Sequence, residues 1–214
     1  MKKPTRSVSS ARGADPAASP EVAAFLDRLA AGRPAEGRGR LVFALDATMS
    51  RQPTWDLACT LQAEMFAAAA DAGGLAVQLV YFRGHGEARA SRWVADGAGL
   101  ARLMAGIACL GGLTQIGRVL EHAEREAARR PLAALVYVGD AMEEDVDRLC
   151  DLAGRLGARG TRAFLFHEGG DPAAGRAFRE IARLTRGAYL PFDARSAAEL
   201  RALLGAPGAS PSTR

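Results

Sequence analysis

Five short, nearly unbroken apolar runs separated by amphipathic stretches constrain this chain more than any other feature. The runs are Leu41–Leu45 (LVFAL), Leu75–Phe82 (LAVQLVYF), Leu132–Val138 (LAALVYV), Arg162–His167 (RAFLFH) and Ala188–Phe192 (AYLPF). They are too short for core helices. They also lack the apolar/polar alternation of a strand with one wet face. Such runs read as strands buried on both faces, which requires a parallel sheet covered by helices. The intervening segments supply those helices: residues 54–71, Asp96–Ile107, Gln115–Arg130, Glu144–Leu156 and a helix opened by Asp171-Pro172, with an N-cap followed by proline at N1. Strand and helix alternate through nearly the whole chain, and the expected fold is therefore an α/β, doubly wound, mostly parallel sheet with helices on both faces. Gly84-His85-Gly86 reads as a hairpin turn into a short strand, Glu87–Val94, which forms the antiparallel edge.

The remaining segments divide the chain. Residues 1–18 read as a disordered basic leader, and 19–39 as a helix (Pro20–Ala31) with a Gly/Arg/Pro linker. Residues 40–204, closed by a helix at Ser196–Leu204, form one domain, and 205–214 is a disordered tail. No apolar run approaches the ~20 residues of a membrane span. The N-terminus lacks the apolar h-region of a secretory signal, which points to the cytoplasm. Net charge is +4, but Lys occurs only at Lys2 and Lys3, and the other 26 of the 28 basic residues are scattered arginines. They form no stripe interleaved with aromatics, so there is no specific nucleic-acid signal. Three widely spaced cysteines (Cys59, Cys109, Cys150) fit neither a disulfide framework nor a CxxC metal site.

The chemistry concentrates where strands end. The first run leads directly into Asp46, with Thr48 and Ser50 following at alternate positions (DATMS). In open α/β sheets ligands bind at the carboxyl ends of the strands. One carboxylate and two hydroxyls form a hard, all-oxygen donor set of the kind Mg²⁺ or Mn²⁺ prefers. Two further loops belong to the same end: Thr114 in GGLTQIG, and Asp140 directly after the strand Leu132–Val138 in VGDAMEED.

At these residues the chain resembles the von Willebrand factor A domain family, the fold shared by integrin I domains. The family's metal-ion-dependent adhesion site, or MIDAS, uses D-x-S-x-S, then a Thr after a Gly-rich loop, then an Asp after a central strand. Asp46, Thr48, Ser50, Thr114 and Asp140 stand in that order here, and the resemblance covers about residues 40–204. Thr48 replaces the first Ser but keeps its hydroxyl, and Asp140 lies in GDAMEED rather than the family's commoner T-D-G run. The resemblance implies that Thr48 and Ser50 contact the metal directly. It also implies that Thr114 does so with ligand bound, while the aspartates often act through water. A metal held mainly by neutral hydroxyls then takes an outside carboxylate, a Glu or Asp of a partner protein. The implied function is a non-enzymatic, divalent-metal-dependent protein-interaction module.

Two other readings compete. Haloacid-dehalogenase-type phosphatases also place an Asp after an apolar strand, and Asp46 would then be the nucleophile of a Mg²⁺-dependent phosphohydrolase or phosphotransferase. Those enzymes use D-x-D-x-T, whereas Thr48 stands at the second Asp, and no Lys follows Lys3. The third reading is a scaffold that has lost its metal. Structural roles are the plainer alternative for single residues. Asp46, Thr48, Ser50 and Asp140 are all N-cap types. Glu143, Glu144 and Asp145 suit a solvated helix start. The methionines suit core or rim filling. His85, His122 and His167 are isolated in sequence and read as structural or solvent-facing, and Trp55 reads as core or as a rim to the site.

Overall fold

The computed structural model describes residues 39–51, 55 and 75–192. The expected leader, the helix at 20–31, most of the helix at 54–71, the helix at 196–204 and the tail at 205–214 lie outside the described residues. Six strands form one sheet: β1 (Gly39–Asp46), β2 (Leu75–Arg83), β3 (Glu87–Val94), β4 (Ala134–Gly139), β5 (Arg162–Glu168) and β6 (Ala188–Phe192). Their spatial order is β3-β2-β1-β4-β5-β6. Every pairing is parallel except β2 with β3. Four helices are described: α1 (Gly97–Ala105), α2 (Ile116–Arg129), α3 (Val146–Ala158) and α4 (Pro172–Leu184).

The period of two along each strand sorts the core. On one face Leu41, Phe43 and Leu45 of β1, with Val136, Val138, Phe164 and Phe166, pack against Leu100 and Met104 of α1 and against Trp55. On the other, Val42, Ala44, Leu135, Tyr137 and Leu165 meet Val119 and Leu120 of α2, Leu152 and Leu156 of α3, and Phe178 and Ile181 of α4. Each fully buried Leu or Phe contributes about 1.5–3 kcal/mol relative to exposure. All eight residues of β1 are buried, as a central strand requires. The edges are protected differently. β3 exposes Arg89 and Arg92, while β6 carries Pro191, which has no N–H to offer another strand.

The expected elements that fall within the described residues appear with shifts of one to a few residues at their ends. β1 runs one residue further than its apolar run, so Asp46 is the strand's last residue and takes its orientation from the sheet. Local capping chemistry sets the helix starts. Asp96 accepts from the Gly99 amide at 2.6 Å, Asp145 from Arg148 at 2.8 Å and Asp171 from Ala173 at 2.8 Å.

Thr185, just past α4, joins that helix to the sheet. Its hydroxyl donates to the Ile181 carbonyl at 2.8 Å and accepts from the Ala163 amide at 3.1 Å. Thr185→Val keeps the shape but leaves a buried amide without its acceptor. We expect a loss of about 1–3 kcal/mol in urea unfolding; a change within experimental error would show the bond to be dispensable.

Candidate metal centre

β1 delivers Asp46 to the carboxyl end of the sheet, and the next turn brings two hydroxyls round to it. The Thr48 amide donates to Asp46 Oδ1 at 2.8 Å, and the Thr48 and Ser50 hydroxyl oxygens lie 3.0 Å apart. Met49–Arg51 form a short 3-10 turn that holds this spacing. Asp46 is fully buried, Thr48 nearly so, and Ser50 is exposed, so the cluster opens outward on the Ser50 side.

The loop between α1 and α2 is anchored to this turn through its backbone. The Leu110 amide donates to the Ala47 carbonyl at 3.0 Å, while the Leu110 carbonyl accepts from Gly84 at 3.3 Å. The Gln115 side-chain amide donates to the carbonyls of Arg83 and Gly84, both at 3.3 Å. Gly112 is required by proximity. A Cβ there would lie 2.1 Å from the Gly84 carbonyl oxygen, and only a residue without a side chain lets the loops approach so closely.

Thr114 ends this loop and is tied to the loop that follows β4. Its amide donates to Glu143 at 3.1 Å, and its hydroxyl accepts from the Glu143 amide at 3.0 Å. Glu144 reaches across as well and accepts from the Ile116 and Gly117 amides. It thereby caps α2, whose own N-cap residue, Gln115, makes no side-chain cap bond. The solvated-helix-start reading of residues 143–145 therefore holds for the exposed Glu143 and Asp145, while Glu144 is half-buried. Glu143 and Glu144 cross-link two loops of the site. Burial pushes the Glu144 carboxyl above its ordinary pKa despite these amide bonds.

The five expected residues thus lie on three loops, the first bonded to the second through Ala47 and Leu110 and the second to the third through Thr114 and Glu143, with Asp46, Thr48 and Ser50 in direct contact. Burial, assisted by the charge of Asp140, raises the Asp46 pKa from 3.8 to about 6; the bonds from Thr48 and the charge of Arg51 act in the opposite direction. Two oxygens of this set, Asp46 Oδ2 and Asp140 Oδ1, are buried without a hydrogen-bond partner, as are the Tyr137 hydroxyl and His167 Nε2 nearby. The sheet register explains the grouping. Gly139 of β4 pairs with His167 of β5, and the Tyr137 hydroxyl fills the space a Cβ at Gly139 would occupy. Buried polar atoms are rarely left unsatisfied, and two such carboxyl oxygens, one of them beside clustered hydroxyls, fit a cation. Among the described residues no group of three or more His, Cys, Asp and Glu side chains could hold a metal. The expected donors are two carboxylates, Asp46 and Asp140, and three hydroxyls, Thr48, Ser50 and Thr114.

Sequence reasoning missed Arg51. Its side chain is fully buried and donates through Nε to Glu168 at 3.0 Å, through Nη2 to the same carboxylate oxygen, and through Nη1 to the Asp46 carbonyl at 3.1 Å. A guanidinium therefore lies under the Asp46 turn and ties it to the end of β5. The remaining candidates are structural or solvent-facing. Trp55 is buried, with its ring nitrogen donating to the Ile107 carbonyl at 3.2 Å, so it does not rim the site. His85 is exposed in the hairpin turn, His122 is bonded to Gln78 at 2.8 Å, and His167 to the Tyr189 hydroxyl at 2.9 Å.

No protein-family model and no curated protein matches the chain. Solved structures do. A von Willebrand factor type A protein from Catenulispora acidiphila aligns with a TM-score of 0.61 at 21% identity, over 79% of this chain and 42% of its own. The SpRpn10 VWA domain aligns with a TM-score of 0.61 at 13% identity, over 76% of this chain and 93% of its own. Proximal thread matrix protein 1 from the mussel byssus, with a zinc-occupied MIDAS motif, aligns with a TM-score of 0.62 at 15% identity, over 79% of this chain and 45% of its own. The chain thus spans less than half the length of the first and third of these proteins. Among the described residues no helix is long and apolar enough to cross a membrane. With its strand order, its single antiparallel edge strand and these structural neighbours, the chain has the von Willebrand factor A-type fold.

Proposed function

We propose that this domain is a divalent-metal-dependent protein-interaction module. In this reading Asp46, Thr48, Ser50, Thr114 and Asp140 hold Mg²⁺ or Mn²⁺, and a Glu or Asp of a partner protein completes the coordination. The observation that carries the proposal is the pair of buried, unpartnered carboxyl oxygens, Asp46 Oδ2 and Asp140 Oδ1, whose charges act on each other, with the Thr48 and Ser50 hydroxyls clustered at Asp46. The zinc-occupied MIDAS of the mussel neighbour supports a divalent ion in a fold of this type. The metal would supply an electrophilic position open to a hard, anionic oxygen. The protein's own groups fix the hydroxyls and keep the site at the sheet's carboxyl edge. The phosphohydrolase alternative has less support, because a nucleophile must be reached by its substrate and Asp46 has no exposed surface.

Thermal unfolding in EDTA and then in millimolar Mg²⁺ or Mn²⁺ tests this reading. A ligand at ten times its Kd stabilises the folded state by about 1.4 kcal/mol, which for a domain of this size raises Tm by about 3–6 °C. We expect that rise in the wild type and none in Asp140→Ala. Equal melting of the wild type in EDTA and in both metals would count against a resident metal site.

A further inference from the structure

Among the described residues, the large hydrophobic side chains that remain exposed are Met49 (51%), Leu110 (49%), Leu113 (57%) and Val146 (40%). All four belong to the three site loops or to the helix that leaves them. Met49 stands between Thr48 and Ser50, Leu113 directly precedes Thr114, and Val146 opens α3 after the Asp140 loop. A single exposed Leu needs no explanation, but exposed apolar residues confined to one polar site mark a contact surface.

The backbone that sets the polar donors also sets these side chains. Met49 lies within the turn whose flanking hydroxyl oxygens are 3.0 Å apart. Leu110 is fixed on both sides, its amide on Ala47 and its carbonyl on Gly84. Leu113 adjoins Thr114, which is locked at both its amide and its hydroxyl by Glu143. Apolar groups held in advance lose little conformational entropy when a partner covers them. The centre of the same surface calls for an anionic oxygen. An isolated carboxylate satisfies only that centre. A carboxylate with apolar neighbours satisfies the whole surface.

We propose that the partner segment carries an Asp or Glu adjacent to large apolar residues, the acid completing the metal and the apolar residues packing on Met49, Leu110 and Leu113. The proposal rests on the metal-bridging reading above and adds the sequence class of the partner.

The test is selection of a displayed random-peptide library on the full chain in Mg²⁺, followed by measurement of a selected peptide against Met49→Ser/Leu113→Ser. Both substitutions are at exposed positions and make the surface more polar, so the fold and the metal-dependent Tm rise should persist. Expected are peptides in which an acid sits beside Leu, Ile, Phe or Met, whose binding EDTA abolishes and the double variant weakens about tenfold or more. EDTA-sensitive acidic peptides with no apolar enrichment, or binding unchanged in the double variant, would overturn the proposal and leave the metal reading intact. Binding that survives both EDTA and Asp140→Ala would overturn both. Metal-independent self-association lost in the double variant would assign the surface to a second copy of this chain, and a library yielding no binder would equally overturn the proposal.

Discussion

Arg51→Met is expected to destabilise the fold by about 3–5 kcal/mol, a large share of the stability of an ordinary domain. The Arg51 side chain is fully buried and that of Glu168 is 17% exposed, so removing the cation strands a desolvated carboxylate. The Asp46 carbonyl loses a donor in the same step. Lysine offers a point charge in place of a planar fork, and Arg51→Lys should recover only part of the loss. Removing both charges together relieves the stranded carboxylate. Arg51→Met/Glu168→Gln should therefore cost much less than the sum of the two single changes, with a coupling of 1 kcal/mol or more (order of magnitude) in a double-mutant cycle. Urea unfolding of the four proteins decides it. A single-variant cost below about 1 kcal/mol would mean that the guanidinium is hydrated in solution and that the pair is not a structural tie.

That ion pair also marks where sequence reading stopped. The five apolar runs and the cap at Asp171 were legible because strand burial and capping are decided within a few neighbouring residues. The fold class followed from them, and the resemblance put Asp46, Thr48, Ser50, Thr114 and Asp140 at strand and loop ends, where the structure has them. The contacts that assemble the site are between residues remote in sequence. Glu168 is 117 positions from Arg51, and Glu143 is 29 from Thr114. An arginine beside a turn has the composition of an exposed surface, and nothing local distinguishes the buried Arg51; a Glu-Glu-Asp run opening a helix does not show locally which of its carboxylates bonds a remote amide. The apolar rim was visible as letters, the Met of DATMS and the Leu of GGLTQIG. Leu and Met are by default core residues, and only the folded chain shows that these two stay outside.

Asp46→Asn is expected to reverse its stability ranking against the wild type when metal is added. The Asp46 carboxyl has its pKa raised from 3.8 to about 6, first by burial and then by the charge of Asp140. A raised carboxyl pKa means that the folded state holds the proton more tightly. Its contribution to stability is fully present below pH 3.8 and is lost as pH rises through about 6. At pH 8 in EDTA the wild type therefore carries a buried charge that Thr48 and Arg51 compensate only in part, which at about 1.4 kcal/mol per pKa unit costs roughly 3 kcal/mol as an upper bound. Asparagine keeps an oxygen for the Thr48 amide and never ionises. In EDTA it should match or exceed the wild type above pH 6, by about 1–3 kcal/mol, and show no loss between pH 4 and 6 from this position. Mg²⁺ then separates the two proteins in the opposite sense, because the ionised carboxylate is the form that stabilises a cation. The wild type should gain stability and the variant should not. Unfolding curves at pH 4 and pH 8, each in EDTA and in Mg²⁺, give the four comparisons. If Asp46→Asn is less stable than the wild type in EDTA at pH 8, the carboxylate is paid for by other groups of the protein and the site has no charge deficit for a metal to fill. If it is more stable and also retains the Mg²⁺ gain, the ion binds without Asp46, and the donor set must be redrawn around Asp140.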